Sequence, residues 1–269
     1  MGNKRERWVV KLGSGLLTNS QGNVDLRQIR TLADQVNALH QANRDVVLVS
    51  SGAVSAGMTA LGCAERPRER AALQACASIG QPMLMKSYNQ AFGKLGIRTA
   101  QILMTYWDMD SRRIYANARS TFEHLLALKT CVPIVNENDA LSFEELEMLN
   151  RFGDNDRLSA HVSLLVEADL LVILSSIEGL YEKPDGSGKM LRHVRQIDET
   201  IRSYAGNTPS QRSVGGMISK LDTAQMMLEA RIPMILANGR RPNVLTDIAA
   251  GKQVGTLFSR HQTLRSGRA

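Results

Sequence analysis

The sequence predicts an α/β protein whose mainly parallel sheet is covered by helices on both faces. Three observations lead to this fold class. Short apolar runs alternate with segments of helical periodicity, and strands separated by helices are typical of parallel sheets. The motifs rich in glycine and polar residues follow the strands, where such sheets bind ligands. The 269 residues contain no repeat, low-complexity linker or break in composition, so we expect one α/β unit, at most with two lobes.

The elements follow from local pattern. Runs of Val, Ile and Leu bounded by small or polar residues predict strands at 8–12, 46–49, 97–104, 131–135, 170–174, 233–237 and 254–258. Apolar residues spaced three or four apart predict helices at 25–40, in a stretch that ends at Leu95, and at 111–128, 154–167 and 217–230.

Composition excludes several classes of protein. The net charge of +7 could favour nucleic acid, but aromatic residues make up only 4% and no long basic run occurs, so we expect no nucleic-acid partner. Three cysteines that form no CxxC pair favour free thiols in a reducing compartment over a disulfide framework or zinc site. Neither a membrane-spanning run nor a signal-peptide core is present, so the expected location is the cytoplasm and no membrane partner is expected.

Three loops combine glycine or small hydroxyl residues with a preceding strand or a following helix. Glycine allows a ligand to approach the backbone closely, and a helix N-terminus favours phosphate. One such loop is as consistent with a tight turn, but three at one sheet edge favour an anionic ligand. The P-loop pattern GxxxxGK[ST] is absent. The three loops are 11–15, 50–53 and 215–220.

A lysine accompanies two of these loops. Lys11 lies within an apolar strand, where burial is costly unless the ammonium group meets negative charge. The alternative for Lys11 is a strand-end lysine that extends to solvent. Lys220 could be an exposed lysine in the first turn of a helix, although a bound anion would relieve its repulsion from the helix dipole.

Polar side chains also follow the strand at 131–135. Asn136-Glu137-Asn138-Asp139 comes directly after it, and Gly153-Asp154-Asn155-Asp156 precedes a predicted helix. Asp154 could act as an N-cap, but a cap needs only one of these groups. We therefore favour substrate contact over a metal site built from Asp139, Asp154 and Asp156.

Taken together, these motifs resemble the amino-acid kinase superfamily. The closest resemblance is to the branch that phosphorylates the side-chain carboxylate of glutamate, the first step of proline biosynthesis. It runs from about Trp8 to Phe258, and the Asn-Glu-Asn-Asp and Gly-Asp-Asn-Asp pair is its most specific part. The resemblance implies a three-layer α/β/α sandwich, with an N-terminal lobe (about 1–168) for glutamate and a C-terminal lobe (about 169–269) for ATP.

The resemblance also implies residue roles. Lys11 and Lys220 would neutralise the transferring phosphoryl group, and Asp156 would hold them in place. The implied glutamate-binding residues are Ser51, Gly52, Asp139, Asp154 and Asn155. The implied ATP-binding residues are Lys11, Gly13, Ser175, Ser176, Val214, Gly215, Gly216, Met217, Ile218, Ser219 and Lys220. Magnesium would be carried on ATP and not by side chains. Proline as a feedback inhibitor and a homo-oligomeric state are further expectations.

The chain departs from the family pattern in two places. Ser175-Ser176 stands where the family usually has Thr-Asp, so the chain lacks the acidic residue that the family has on the nucleotide side. Many bacterial relatives continue into a C-terminal domain of a type found in RNA-modifying enzymes, whereas this sequence ends soon after Phe258. We therefore expect a short form. The apolar stretch at 141–152 could be a lid or inhibitor-sensing loop, or a short amphipathic helix.

Other functions remain open. The acceptor could be N-acetylglutamate, carbamate or a phosphate ester. Residues Asn136–Asp139 and Gly153–Asp156 nevertheless suit the free α-ammonium group that N-acetylglutamate lacks. A nucleotide-binding regulator with little turnover is a further alternative; Ser176 favours it, whereas the presence of both Lys11 and Lys220 argues against it.

Overall fold

The computed structural model describes residues 5–19, 22–141, 155–206 and 216–261. Within them, one sheet has the strand order β3-β4-β2-β1-β5-β7-β8-β6. All neighbouring strands run parallel except β7 and β8. The strands are β1 Glu6–Leu12, β2 Arg44–Ser50, β3 Arg98–Met104, β4 Cys131–Glu137, β5 Leu170–Ser175, β6 His193–Val194, β7 Met234–Asn238 and β8 Thr256–Phe258. The first four strands form one half of the sheet and the last four the other, and the halves meet where β1 pairs with β5.

Helices connect most of the strands. In the described residues they are α1 Ser14–Leu17, α2 Leu26–Gln41, α3 Ala53–Ala60, α4 Arg70–Gly93, α5 Tyr106–Asp110, α6 Arg112–Ala127, α7 Asn155–Leu165, α8 Glu199–Ser203, α9 Met217–Glu229 and α10 Val244–Ala249. Two of the long helices have side-chain N-caps, because Asp25 accepts from the backbone N–H of Gln28 and Ser111 from that of Ile114.

Two hydrophobic cores cover the two faces of the sheet. Successive strand residues point to opposite faces, so Val10 and Leu12 join the core built with α2, α4 and α10. Val9 joins the core built with α6, α7 and α9. The predicted three-layer α/β/α arrangement with a mainly parallel sheet is thereby confirmed.

The last part of the sheet differs from expectation. All seven predicted strands are present, but β6 and α10 were not predicted, and β8 runs antiparallel to β7. A helix rises about 1.5 Å per residue and a strand about 3.3 Å, so the six residues of α10 are too few to return the chain to the amino edge. Gly255 allows the close pairing that results, because a Cβ there would lie 2.0 Å from the carbonyl oxygen of Leu236.

The remaining general expectations concern cysteines and membranes. Cys63, Cys76 and Cys131 are free thiols, as predicted. Across the described ranges, none of the helices has the length and apolar character needed to cross a bilayer.

Candidate active site

The carboxyl edge of the sheet brings two lysines and one aspartate into contact. Lys11 lies near the end of β1, Asp156 in the first turn of α7 and Lys220 in the first turn of α9. The Nζ atom of Lys11 is 2.6 Å from Oδ1 of Asp156, and Nζ of Lys220 donates to Oδ2 at 2.9 Å. Each lysine is 5% exposed and Asp156 is 0% exposed. The alternatives in which either lysine extends into solvent are therefore wrong.

This lysine–aspartate cluster has a net positive charge. Burial raises the pKa of Asp156, but the ammonium groups of Lys11 and Lys220 together outweigh burial and hold that pKa below its usual range. Asp156 is therefore ionised, and each of its oxygens contacts one buried ammonium group. Two ammonium groups held close together in this way are suited to contact an anionic group of a ligand.

Asn155, the residue before Asp156, is the centre of a hydrogen-bond network. Its Nδ2 atom donates to the Ser50 carbonyl at 2.7 Å, to Ser51 Oγ at 2.9 Å and to Asn136 Oδ1 at 3.0 Å. Its side-chain oxygen is buried and has no hydrogen-bond donor among the residues that the structure describes. Asn155 thus offers one acceptor atom beside the lysine–aspartate cluster.

Asp139 lies just beyond β4 and lines a cavity of about 230 Å³, which α4 and the ends of β3 and β4 enclose. Burial raises the pKa of Asp139 to about 6, and the charge of Arg66 opposes that shift only in part. A nearby cation stabilises the ionised form of a buried carboxylate. The cavity therefore suits a ligand with a positively charged group.

Two predicted backbone segments lie at the same edge. Gly52 has a φ of 101° and precedes α3 directly after Ser51, a conformation that favours glycine. Gly13 follows β1, and its N–H donates to the carbonyl of Leu174 at 3.1 Å. A Cβ at Gly13 would lie 4.0 Å from Nζ of Lys11, so the backbone of this turn passes close to the lysine.

The predicted nucleotide-side residues lie on β5 and α9. Ser175 ends β5 and is half-buried, and Ser176 after it is exposed. The first turn of α9 contributes Met217, Ile218, Ser219 and Lys220 after the N-cap residue Gly216. A helix N-terminus has unpaired N–H groups and partial positive charge, so this segment can receive a phosphate.

Several predicted residues lie outside the described part of the chain. They are Asp154, Val214 and Gly215, together with most of the apolar stretch at 141–152. Among described side chains, no cluster of three His, Cys, Asp or Glu residues has a metal-binding arrangement. Both oxygens of Asp156 already contact lysines, which argues against its use as a metal ligand.

Two site residues were not singled out from the sequence. The Nδ2 atom of Asn136 donates to Oε1 of Gln81 at 2.7 Å, and both side chains are buried. Asn136 belonged to a motif that was recognised, but no role was assigned to it. The only local signal for Gln81 was its position between Gly80 and Pro82 inside a helix, where neither neighbour is favoured.

Comparison with protein families gives a match to the amino acid kinase family over residues 6–238. The chain is 43% identical over 266 residues to a glutamate 5-kinase of Thermus thermophilus, covering 98% of this chain and 70% of that protein. It is 42% identical over 256 residues to the glutamate 5-kinase of Clostridium perfringens, covering 94% of this chain and 95% of that protein.

A solved structure supports the fold. UMP kinase from Bacillus anthracis superposes with a TM-score of 0.61, covering 97% of this chain and 98% of that chain, at 16% sequence identity. At this identity the likeness concerns the fold alone, and it agrees with the α/β architecture described above.

Proposed function

Because the chain belongs to the amino acid kinase family and, within it, to the glutamate 5-kinases, we propose that it transfers the γ-phosphoryl group of ATP to the side-chain carboxylate of L-glutamate. This reaction is the first step of proline biosynthesis. The observation that carries the proposal is the buried contact of Lys11 and Lys220 with Asp156. Asn155, the preceding residue, joins that cluster to Ser51.

The chemistry requires charge neutralisation more than proton transfer. A carboxylate is already a nucleophile, so its oxygen attacks the γ-phosphorus without a general base. The bond from that phosphorus to the β,γ-bridging oxygen breaks, and ADP leaves with the electron pair. The barrier arises because one anion approaches another, and positioned cations lower it. Lys11 and Lys220 supply compact positive charges, and Asp156 holds both in place.

The acceptor amino acid binds on the N-terminal side of this cluster. The α-ammonium group binds to the carboxylate of Asp139 and to the side-chain oxygen of Asn155, which accepts from no donor in the described part of the chain. Ser51 and the glycine turn at Gly52 bound the opposite side, and Asp154 contributes from the segment before α7. Two acceptors directed at a donor-rich group favour glutamate over N-acetylglutamate, whose α-nitrogen is neutral and has one N–H group.

The nucleotide binds on the C-terminal side of the cluster. The turn at Gly13 and the segment from Val214 to Lys220 hold the phosphates, with the N-terminus of α9 as a source of N–H donors. Ser175 ends the neighbouring strand β5 at the same edge, and Ser176 follows it. Magnesium on the ATP phosphates adds positive charge, and it fits a site where Asp156 is already engaged by lysines.

Three further properties are part of the proposal. The enzyme acts in the cytoplasm, where its substrates are found. Proline, the end product of the pathway, is its feedback inhibitor. A homo-oligomer is supported by large apolar side chains that are exposed on and beside the edge strand β3, among them Leu103 at 38%, Met83 at 42% and Trp107 at 59% exposure.

A trapping assay tests the function. The product is an acyl phosphate, so hydroxylamine should convert it to a γ-glutamyl hydroxamate when the protein turns over glutamate and Mg-ATP. N-Acetylglutamate and aspartate serve as competing acceptors under the same conditions. Turnover with N-acetylglutamate and none with glutamate would remove the proposal.

A further inference from the structure

The buried side chain of Gln81, on α4, is linked to Asn155 of the acceptor site by hydrogen bonds that pass through one other side chain. Its Oε1 atom accepts a hydrogen bond from Nδ2 of Asn136 at 2.7 Å. The Oδ1 atom of Asn136 accepts in turn from Nδ2 of Asn155 at 3.0 Å. A chain of two side-chain hydrogen bonds therefore links Gln81 to Asn155, within a buried region where such bonds are strong.

The direction of these bonds determines which atom of Asn155 faces the ligand. An amide group has a nitrogen end that donates and an oxygen end that accepts. Two contacts orient Asn136: Oε1 of Gln81 accepts from its nitrogen at 2.7 Å, and the backbone N–H of Glu137 donates to its oxygen at 2.9 Å, so that oxygen also faces Asn155. The nitrogen of Asn155 then faces Asn136 and the Ser50 carbonyl, and its oxygen is left as an acceptor with no donor among the described residues.

Gln81 is held in place by an unusually close contact between two helices. A Cβ at Gly80 would lie 1.9 Å from the carbonyl oxygen of Ala53, and one at Gly57 would lie 1.8 Å from that of Cys76. The backbones of α3 and α4 therefore touch at both glycines. Since α3 begins directly after Ser51 and Gly52, this contact sets the position of Gln81 relative to the acceptor site.

We propose that Gln81 is a positioning residue for the acceptor amino acid: through Asn136 it keeps the side-chain oxygen of Asn155 directed at the α-ammonium group. Gln81 also lines the cavity that contains Asp139. The inference rests on the proposed function, because the α-ammonium group is that of the glutamate acceptor.

The first test removes the acceptor atom of Gln81 and keeps its length. In Gln81→Met the buried Nδ2 atom of Asn136 loses its acceptor and only the Glu137 N–H still orients the amide, so the KM for glutamate should rise about tenfold. Both kcat and the KM for ATP should stay within twofold of wild type, because the lysine–aspartate cluster is untouched. Gln90→Met, the same change at an exposed position of α4, is the control and should leave all three constants unchanged.

A double-mutant cycle separates positioning from a general effect on packing. If Gln81 acts through Asn155, adding Gln81→Met to Asn155→Ala should change the KM for glutamate less than twofold. Gln81→Glu keeps an oxygen that accepts from Asn136, so its KM should remain within threefold of wild type. This second variant also provides the test if Gln81→Met does not fold.

Three results would overturn the inference. The first is an unchanged KM for glutamate in folded Gln81→Met. The second is a full tenfold rise in that KM when Gln81→Met is added to Asn155→Ala, and the third is a rise in Gln81→Glu as large as that in Gln81→Met. Each leaves the wild-type hydroxamate assay positive. A wild-type protein that forms no γ-glutamyl hydroxamate would instead overturn the proposed function.

Discussion

Replacing Asp156 with asparagine removes the one anion between two buried lysines and changes little else. The side chain keeps its size, but the cluster goes from one net positive charge to two. Breaking a buried ion pair by removing one partner costs about 3–5 kcal/mol. For a chain of this size that corresponds to a fall in melting temperature on the order of 10 °C. Lys11 and Lys220 also lose their common support, so kcat should fall by about 10²- to 10³-fold.

Two measurements check this expectation for Asp156→Asn. Steady-state kinetics give kcat, and thermal unfolding gives the melting temperature with and without Mg-ATP. Because the nucleotide phosphates replace part of the missing negative charge, Mg-ATP should raise the melting temperature more in the variant than in wild type. Asp222→Asn is a matched control on α9, since its ion pair with Arg202 is exposed and contributes at most about 1 kcal/mol.

The reasoning about Asp156 would be refuted by kcat within tenfold of wild type together with an unchanged melting temperature. A lower melting temperature with normal kcat would show that the cluster stabilises the fold without taking part in phosphoryl transfer.

Four other substitutions test neighbouring parts of the site. Lys11→Arg and Lys220→Arg keep the charge but exchange a compact ammonium for a planar guanidinium, so kcat should fall by at least about 10²-fold; kcat within tenfold would contradict this. Burial raises the pKa of Asp139 to about 6, so kcat/KM for glutamate should fall as pH drops through about 6 and Asp139 is protonated, and Asp139→Asn should remove this dependence. Ser176→Asp should change the KM for ATP more than twofold and leave that for glutamate unchanged; an unaltered KM for ATP would make this departure from the family pattern neutral.

The sheet could be predicted from local sequence because its strands are buried on both faces. Such strands appear as continuous apolar runs, and β1, β2, β4 and β5 were all recognised in this way. The last strands are harder, because the short helix α10 and the two-residue strand β6 have too few residues to show a period. The direction of β8 depends on the distance that α10 can span between the two edges of the sheet. That distance is not visible in the sequence pattern.

The location of the site also follows from sequence. The carboxyl ends of parallel strands meet at one edge, so Lys11, Ser51 and Asp139 were expected to lie near one another. For Lys11 the sequence left two possibilities, a buried ammonium group that meets negative charge or a strand-end lysine that extends to solvent. Residue spacing alone did not assign Asp156 to the lysines; only the family resemblance implied that role.

Only the tertiary structure decided the contacts between distant side chains. It turned Asp156 fully inward between the lysines, whereas Asp139 lines the cavity beside α4. It also joined Gln81 to Asn136, which is 55 residues away, through two helices that touch at glycines. Local periodicity shows which face of an element is buried but not which atom it meets there, because hydrogen-bond partners are set by the packing of elements far apart in the chain.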